Sequence, residues 1–191
     1  PAPTNFKFTR LMKKKTIKQQ TPSQHSRLDS TRHEQIFSSG EELYKALLTD
    51  IANAQLNIDF ESYIFSNDEA GQEIAQGLTE ALDRGVAVRV LVDGFGSPFW
   101  ASGLARMLEK AGAQTKIYNP FPWQVWNWQR STRRHRLLSK WLYLSLNINT
   151  RNHRKTTIID KHTAYIGSFN VHKCHLPRKR GGFGWRDTSV R

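Results

Sequence analysis

Cysteine is almost missing from this 191-residue chain: Cys174 is the only one. No disulfide can form within the chain, which is consistent with a reducing compartment. Long apolar runs are missing too. None approaches the roughly 18 residues of a membrane span, so membrane contact by these residues would be peripheral. No apolar run follows the early basic residues, which argues against a secretory signal and leaves an organellar transit sequence open. Acid is scarce: 16 Asp and Glu stand against 29 Lys and Arg, a net charge of +13. That balance calls for an anionic partner, such as a phosphate-bearing substrate, nucleic acid or an acidic membrane surface; otherwise it marks a soluble basic protein.

The scarcity of acid is uneven. No acid precedes Asp29. Residues 1–36, with Lys13-Lys14-Lys15 and Lys18 and no apolar periodicity, read as a basic, disordered tail. Polybasic contact with anionic lipid is the alternative. No acid falls between Lys110 and Ile159 either. Within that stretch, 120–150 combines Trp123, Trp126 and Trp128 with Arg130, Arg133, Arg134, Arg136 and Lys140, then Trp141. Aromatics interleaved with cations suit a membrane interface. They also suit base stacking with phosphate contacts, or tryptophans packed on the domain with solvated arginines. The chain starts without Met and stops inside the strand-like Thr188-Ser-Val-Arg191. It is therefore expected to be truncated at its C-terminus.

Between these stretches the pattern is regular. Ser39-Gly-Glu-Glu42 reads as a capping box, and Leu43, Leu47 and Ile51 share a helix face to about Ala54. Residues 56–65 read as a strand. Asn67 or Asp68 caps a second helix with Ile74, Leu78 and Leu82 inward, stopped at Gly85. Val86–Val92 is a buried strand. Residues 101–111 form a helix with Leu104, Met107 and Leu108 inward, and Thr115–Tyr118 a short strand. Two close runs, about 153–160 and 163–168, suit a hairpin across Asp160-Lys-His162. The alternation predicts an α/β fold with a mixed, mostly parallel sheet flanked by helices.

The chemistry concentrates in His153-Arg-Lys155-Thr-Thr-Ile-Ile-Asp160 and Gly167-Ser168-Phe-Asn170. At about one position in twenty for each residue type, all six types in register arise by chance on the order of once in a million chains this short. On a strand His153 and Lys155 project to one side. With Asn170 from the next strand's end and the Ser168 hydroxyl, they make a site for a phosphoryl group. A neutral His153 is a competent nucleophile toward phosphorus. The positive field comes from Lys155, so no metal or other cofactor is called for, and the chain lacks an evident carboxylate cluster for magnesium. His172, Cys174 and His175 crowd too closely for a convincing metal site and read as loop residues. His135 and His162 carry no independent signal.

This stretch resembles the signature of the phospholipase D superfamily, His-x-Lys-x(4)-Asp-x(6)-Gly-Ser-x-Asn, at every fixed position. Further words resemble the cardiolipin synthase branch: Glu61-Ser-Tyr-Ile-Phe65, Arg84-Gly-Val86, Leu91-Val-Asp-Gly94, Gly96-Ser97, Asn152-His-Arg-Lys155 and Trp185-Arg-Asp-Thr188. The resemblance spans about residues 37–191. It implies a phospholipase D-like catalytic lobe there, one of the two usual in the family, with 120–150 as an insertion. It implies that His153 is the nucleophile or its paired acid/base, and that Lys155 and Asn170 hold the phosphate. Asp160 would be a structural or charge-orienting partner, and Asp187 the acid that hydrogen-bonds the motif histidine. The family's synthases usually carry Gly-Gly where this chain has Gly167-Ser168. The catalytic unit also uses two motifs, and this chain has one. The second is expected in a missing half of the same polypeptide, or in a homodimer partner. The expected activity is phosphatidyl transfer between phospholipids through a phosphohistidine, on phosphatidylglycerol or a similar anionic lipid, by a peripheral membrane protein of the cytoplasmic side. This chain alone is expected to be inactive. The alternative is a metal-independent nuclease acting as a homodimer; nucleic acid is the less favoured partner.

Overall fold

A computed structural model describes residues 33–100, 103–132 and 137–191, without the side chains of residues 137 and 138. The expected disordered tail lies outside the described residues, apart from its last four positions. So do Arg133, Arg134, His135 and Arg136.

One seven-stranded sheet organises residues 34–191. Its strands are β1 (Ile36–Phe37), β2 (Asn57–Ser62), β3 (Ala87–Asp93), β4 (Gln114–Tyr118), β5 (Thr156–Ile159), β6 (Thr163–Gly167) and β7 (Ser189–Val190), in the spatial order β1-β7-β6-β5-β2-β3-β4. β2, β3 and β4 pair in parallel, and every other pairing is antiparallel. Only β5 and β7 run against the other five strands, so the sheet is mixed with one prevailing direction. The folded unit begins ahead of residue 37: Ile36 pairs with Val190, and Gln35 and Arg191 exchange backbone hydrogen bonds.

The helices are α1 (Gly40–Asn53), α2 (Glu69–Asp83), α3 (Leu104–Lys110) and α4 (Leu137–Leu146). Leu43, Leu47 and Ile51 of α1, Ile74 and Leu78 of α2, and Leu104 and Leu108 of α3 join one core with Ile58, Phe60, Val88, Val90, Val92 and Ile117 of the sheet. Strict alternation of burial along β2 and β3 places those strand residues on a single face. Met107 departs from the expected pattern and is exposed. A seven-residue helix starting at Leu104 presents too narrow a stripe to bury it. The capping box also fails to form. Ser39 is extended and makes no side-chain cap; α1 starts on the Leu43 N–H to Ser39 C=O bond, with Glu41 and Glu42 complementing its positive end. Asp68 does cap α2, accepting from Gly71 N–H at 3.1 Å.

The expected strands 153–160 and 56–65 are shorter than their patterns. His153 and Lys155 precede β5, and Phe65 touches Val171 only as an isolated bridge. Asp160 turns the β5–β6 hairpin with positive φ. Its carboxylate accepts from the backbone N–H of Gln55 (2.9 Å), Leu56 (2.7 Å) and Asn57 (2.9 Å). The fixed Asp of the motif therefore bolts the hairpin to the start of β2. These bonds, the one from Gln55 foremost, hold its pKa below the usual carboxylate value of 3.8.

Asp160→Ala is expected to destabilise the fold by about 1–2 kcal/mol, the scale of a lost side-chain cap. Because the folded pKa is depressed, this stabilisation is present above the unfolded value near 3.8 and disappears as pH falls through the folded value. Urea denaturation at pH 7 and below pH 3 measures both; an equal gap between wild type and variant at the two pH values would contradict the assignment.

Candidate active site

The antiparallel register brings the end of β6 beside the start of β5, and β2 and β3 end on the same side. Gly167 N–H donates to Lys155 C=O at 3.3 Å, and Glu61 lies opposite Thr156. His153, Lys155, Ser168, Asn170 and Asp187 therefore gather at one end of the sheet. Asp160 stands at the far end of β5. The motif's Asp is thus a folding residue, removed from the pocket.

Lys155 Nζ lies 2.9 Å from His153 Nδ1 and 3.1 Å from Nε2, and donates to the His153 carbonyl at 2.9 Å. The two side chains therefore meet at hydrogen-bonding distance. Partial burial lowers the Lys155 pKa, opposed by the charge of Asp187. Tyr63 forms the floor. Its ring centroid lies 4.4 Å from that of His153, and Lys155 Nζ sits 5.1 Å from it.

Asn170 is held at three points. Its Oδ1 accepts from Ile64 N–H at 3.2 Å, its carbonyl accepts from the Tyr44 hydroxyl at 2.5 Å, and Val171 N–H reaches the Ile64 carbonyl at 3.0 Å. With Oδ1 occupied, the Nδ2 donors remain for a ligand. Ser168 behaves differently from its expected role in substrate binding. Its Oγ donates to Asp187 and accepts from Thr188 N–H at 3.2 Å. Asp187 in turn bonds Ser168 and Thr188 N–H, where a bond to His153 was expected. The short β7 register carries Asp187 to the β6 side of the site, where its charge opposes the lowering of the Lys155 pKa. The motif glycine has a packing cause: a Cβ at Gly167 would stand 2.4 Å from Thr188 O and 2.5 Å from Ser189 Cα.

The approach to His153 depends on residues whose roles the sequence pattern did not reveal. Asp93, fully buried at the end of β3, accepts from Phe95 N–H (2.8 Å), Gly96 N–H (3.2 Å) and Asn152 N–H (2.9 Å). Arg151 lies 3.8 Å from the same carboxylate, donates to Asn119 C=O at 2.9 Å, and stacks over Phe95 and Phe121. Asn152 donates its side-chain amide to Glu61. The two residues before His153 are thus clamped on both sides. Ser97 Oγ donates to Tyr63 C=O at 3.1 Å and accepts from Phe65 N–H at 2.8 Å. The one available clue was that acids and amides recur where apolar strands end.

The 120–150 segment is partly internal. Trp128 is buried while Trp123 and Trp126 are exposed. Arg130 pairs with Glu109 at 2.6–2.7 Å, and the buried Lys140 donates to Trp128 C=O at 2.5 Å. These two cations are engaged within the fold rather than solvated. His172 accepts from Cys174 N–H through Nδ1 at 3.0 Å, and His175 packs edge-on to Phe169.

Residues 47–179 match the family described as cardiolipin synthase, PLD-like domain. The chain is 32% identical over 156 residues to the major cardiolipin synthase ClsA of Bacillus subtilis, covering 82% of this chain and 29% of that protein. It is 31% identical over 156 residues to a cardiolipin synthase of Clostridium perfringens, with the same coverage. The chain thus spans under a third of the length of these curated relatives. Among solved structures, a phospholipase D family member, Nuc from Salmonella typhimurium, shares the fold with a TM-score of 0.54 at 21% identity, over 83% of this chain and 80% of that one.

Asp93→Ala strips the acceptor from three backbone N–H groups and the counter-charge from Arg151. A loss of about 3 kcal/mol or more is expected in urea denaturation. Asp93→Asn keeps one acceptor oxygen and recovers part of it. A neutral Asp93→Ala would remove the clamp from this account.

Proposed function

The chain belongs to the family of cardiolipin synthase, phospholipase D-like domains, and on that premise we propose that it is a catalytic lobe of a phosphatidyltransferase. The observation that carries the reading is the meeting of the His153 ring and the Lys155 ammonium, with Asn170 and its amide donors at the neighbouring strand end. An incoming phosphodiester takes over the Lys155 ammonium, which frees the lone pair on His153. Lys155 and Asn170 then hold the non-bridging oxygens as phosphorus becomes five-coordinate, where charge and donors contribute most.

His153 attacks the phosphorus of phosphatidylglycerol. The bond from phosphorus to the glycerol headgroup breaks, and glycerol leaves with a proton from a second histidine. The hydroxyl of a second anionic phospholipid then attacks the phosphohistidine and yields its proton to that histidine. His153 is released and cardiolipin is formed. The chain carries one copy of the motif, so the second histidine is assigned to a further lobe of the same polypeptide or to a second copy of this chain. By itself the lobe has a nucleophile without its acid, and little turnover is expected of it. No helix among the described residues is long and apolar enough to cross a membrane. Peripheral contact with the cytoplasmic face of a membrane is a separate part of the proposal.

The test supplies labelled phosphatidylglycerol to the protein in its natural length. Labelled cardiolipin and free glycerol are expected, and His153→Ala should lower the rate by at least about 10³-fold. An acid-labile phosphoryl adduct should be trapped on wild type and lost in the variant. Failure to form cardiolipin, with DNA cleaved in the presence of chelator, would overturn this reading in favour of a nuclease.

A further inference from the structure

Large apolar side chains are left in solvent on α4 (Trp141, Leu142, Leu146), at Val125 and Trp126, on the sheet (Ile36, Ile158, Ile166), and at one end of the sheet. The active end of the sheet carries three groups of them. Phe99, on the loop after β3, is 79% exposed. Beyond β4, Phe121 stacks on the exposed Trp123 at 4.6 Å and touches the exposed Phe95. On the other flank, Phe183 and Trp185 lie 6.0 Å apart, 59% and 61% exposed. Their loop is fixed in place: Phe183 and Trp185 N–H both reach Cys174 C=O, and Trp185 stands two residues before Asp187. At the opposite end the turns at 54–56, 83–86 and 160–162 expose polar and charged groups, among the described residues, with Leu56 the exception.

Charge follows the same polarity. Arg154, Lys173, Lys179 and Arg186 are exposed around the aromatic groups. The acids at that end are occupied: Asp93 is fully buried, Glu61 receives Asn152, and Asp68 caps α2 and accepts from Lys173 N–H. Aromatic rings at the rim with exposed cations between them, of which Lys179 also pairs with Glu41 at 3.2 Å, match the headgroup layer of a bilayer, where rings settle among the carbonyls and cations meet phosphates.

We propose that the active end of the sheet is itself a docking face for an anionic bilayer, with Phe99, Trp123, Phe183 and Trp185 entering the headgroup layer around His153. This face differs from the 120–150 segment taken as a whole, since it joins three separate loops and omits the internal Trp128, Arg130 and Lys140. It rests on the phosphatidyl-transfer reading only for its purpose. A lobe that meets the bilayer end-on receives the headgroup phosphate at His153 without extracting the lipid.

The purified chain is sedimented with vesicles of phosphatidylglycerol and phosphatidylcholine, and with phosphatidylcholine alone. Partition into the anionic vesicles is expected, and the double variant Phe183→Ser/Trp185→Ser should weaken it about ten-fold, as should Phe99→Ser/Trp123→Ser. Leu56→Ser at the opposite end should bind as wild type does; circular dichroism checks that each variant folds. Equal binding to the neutral vesicles, no loss in either double variant, the same loss in Leu56→Ser, or binding to a single-stranded oligonucleotide in place of vesicles would each overturn the proposal. The two readings fail separately. Vesicle binding without cardiolipin formation by the natural-length protein would remove phosphatidyl transfer and leave the docking face. Cardiolipin formed from detergent-dispersed lipid, with no vesicle binding, would do the reverse.

Discussion

A buried carboxylate holds the active end together. Asp93 lies at the end of a parallel strand, out of reach of water, and such a group is tolerable only when fully hydrogen-bonded. Its oxygens face the loop that follows β3 and the residues that precede β5. Three chain segments thereby share one acceptor. Arg151 adds a cation to the cluster and ties in the end of β4 through Asn119. The result is that His153, which lies outside regular structure, is nevertheless placed by neighbours that cannot move independently. A nucleophile must be held to within a fraction of an ångström of its line of attack, and a coil residue obtains that precision only through such a cluster.

The other end of β5 is fixed by a second carboxylate with a different task. Asp160 satisfies the backbone donors where β2 begins, so the register between β2 and β5 is locked at the end remote from chemistry. A slip of one residue would turn Lys155 to the opposite face of the sheet. The spacing from Lys155 to Asp160 is therefore the length of β5 itself. The distance between Asp160 and Gly167 is likewise the turn and return of β6, ending where Ser189 and Thr188 press too close for any side chain. The motif records a hairpin as much as a set of reactive groups.

This explains what was legible in the sequence. The convergence of His153, Lys155 and Asn170 could be read because all three belong to one hairpin and its exit. The α/β order and the inner faces of α1 and α2 could be read because amphipathic period is a property of contiguous residues. Asp93 and Tyr63 were visible only as words of a resemblance, and Arg151 not at all, since their roles exist only once three loops converge. The partners of Asp187 depend on where a two-residue β7 sets it, which no local pattern announces. Arg130 and Lys140 looked like surface cations, yet Glu109 and a backbone carbonyl lie across the fold and far away in sequence. Composition cannot distinguish a solvated arginine from a paired one.

The same convergence constrains how a second histidine can arrive. In the proposed reaction the acid approaches the phosphorus opposite His153 in an in-line displacement, and Tyr63 already packs against the His153 ring. The approach proposed is along the sheet's end, outward from the strands. On that proposal a complementary lobe shares this end of the sheet with the bilayer-docking face, meeting it beside the rim where the lipid phosphate enters. Catalytic partner and substrate thus compete for one restricted face. A site divided between two lobes meets that demand geometrically, because the seam between them leaves an edge open along which a headgroup can enter.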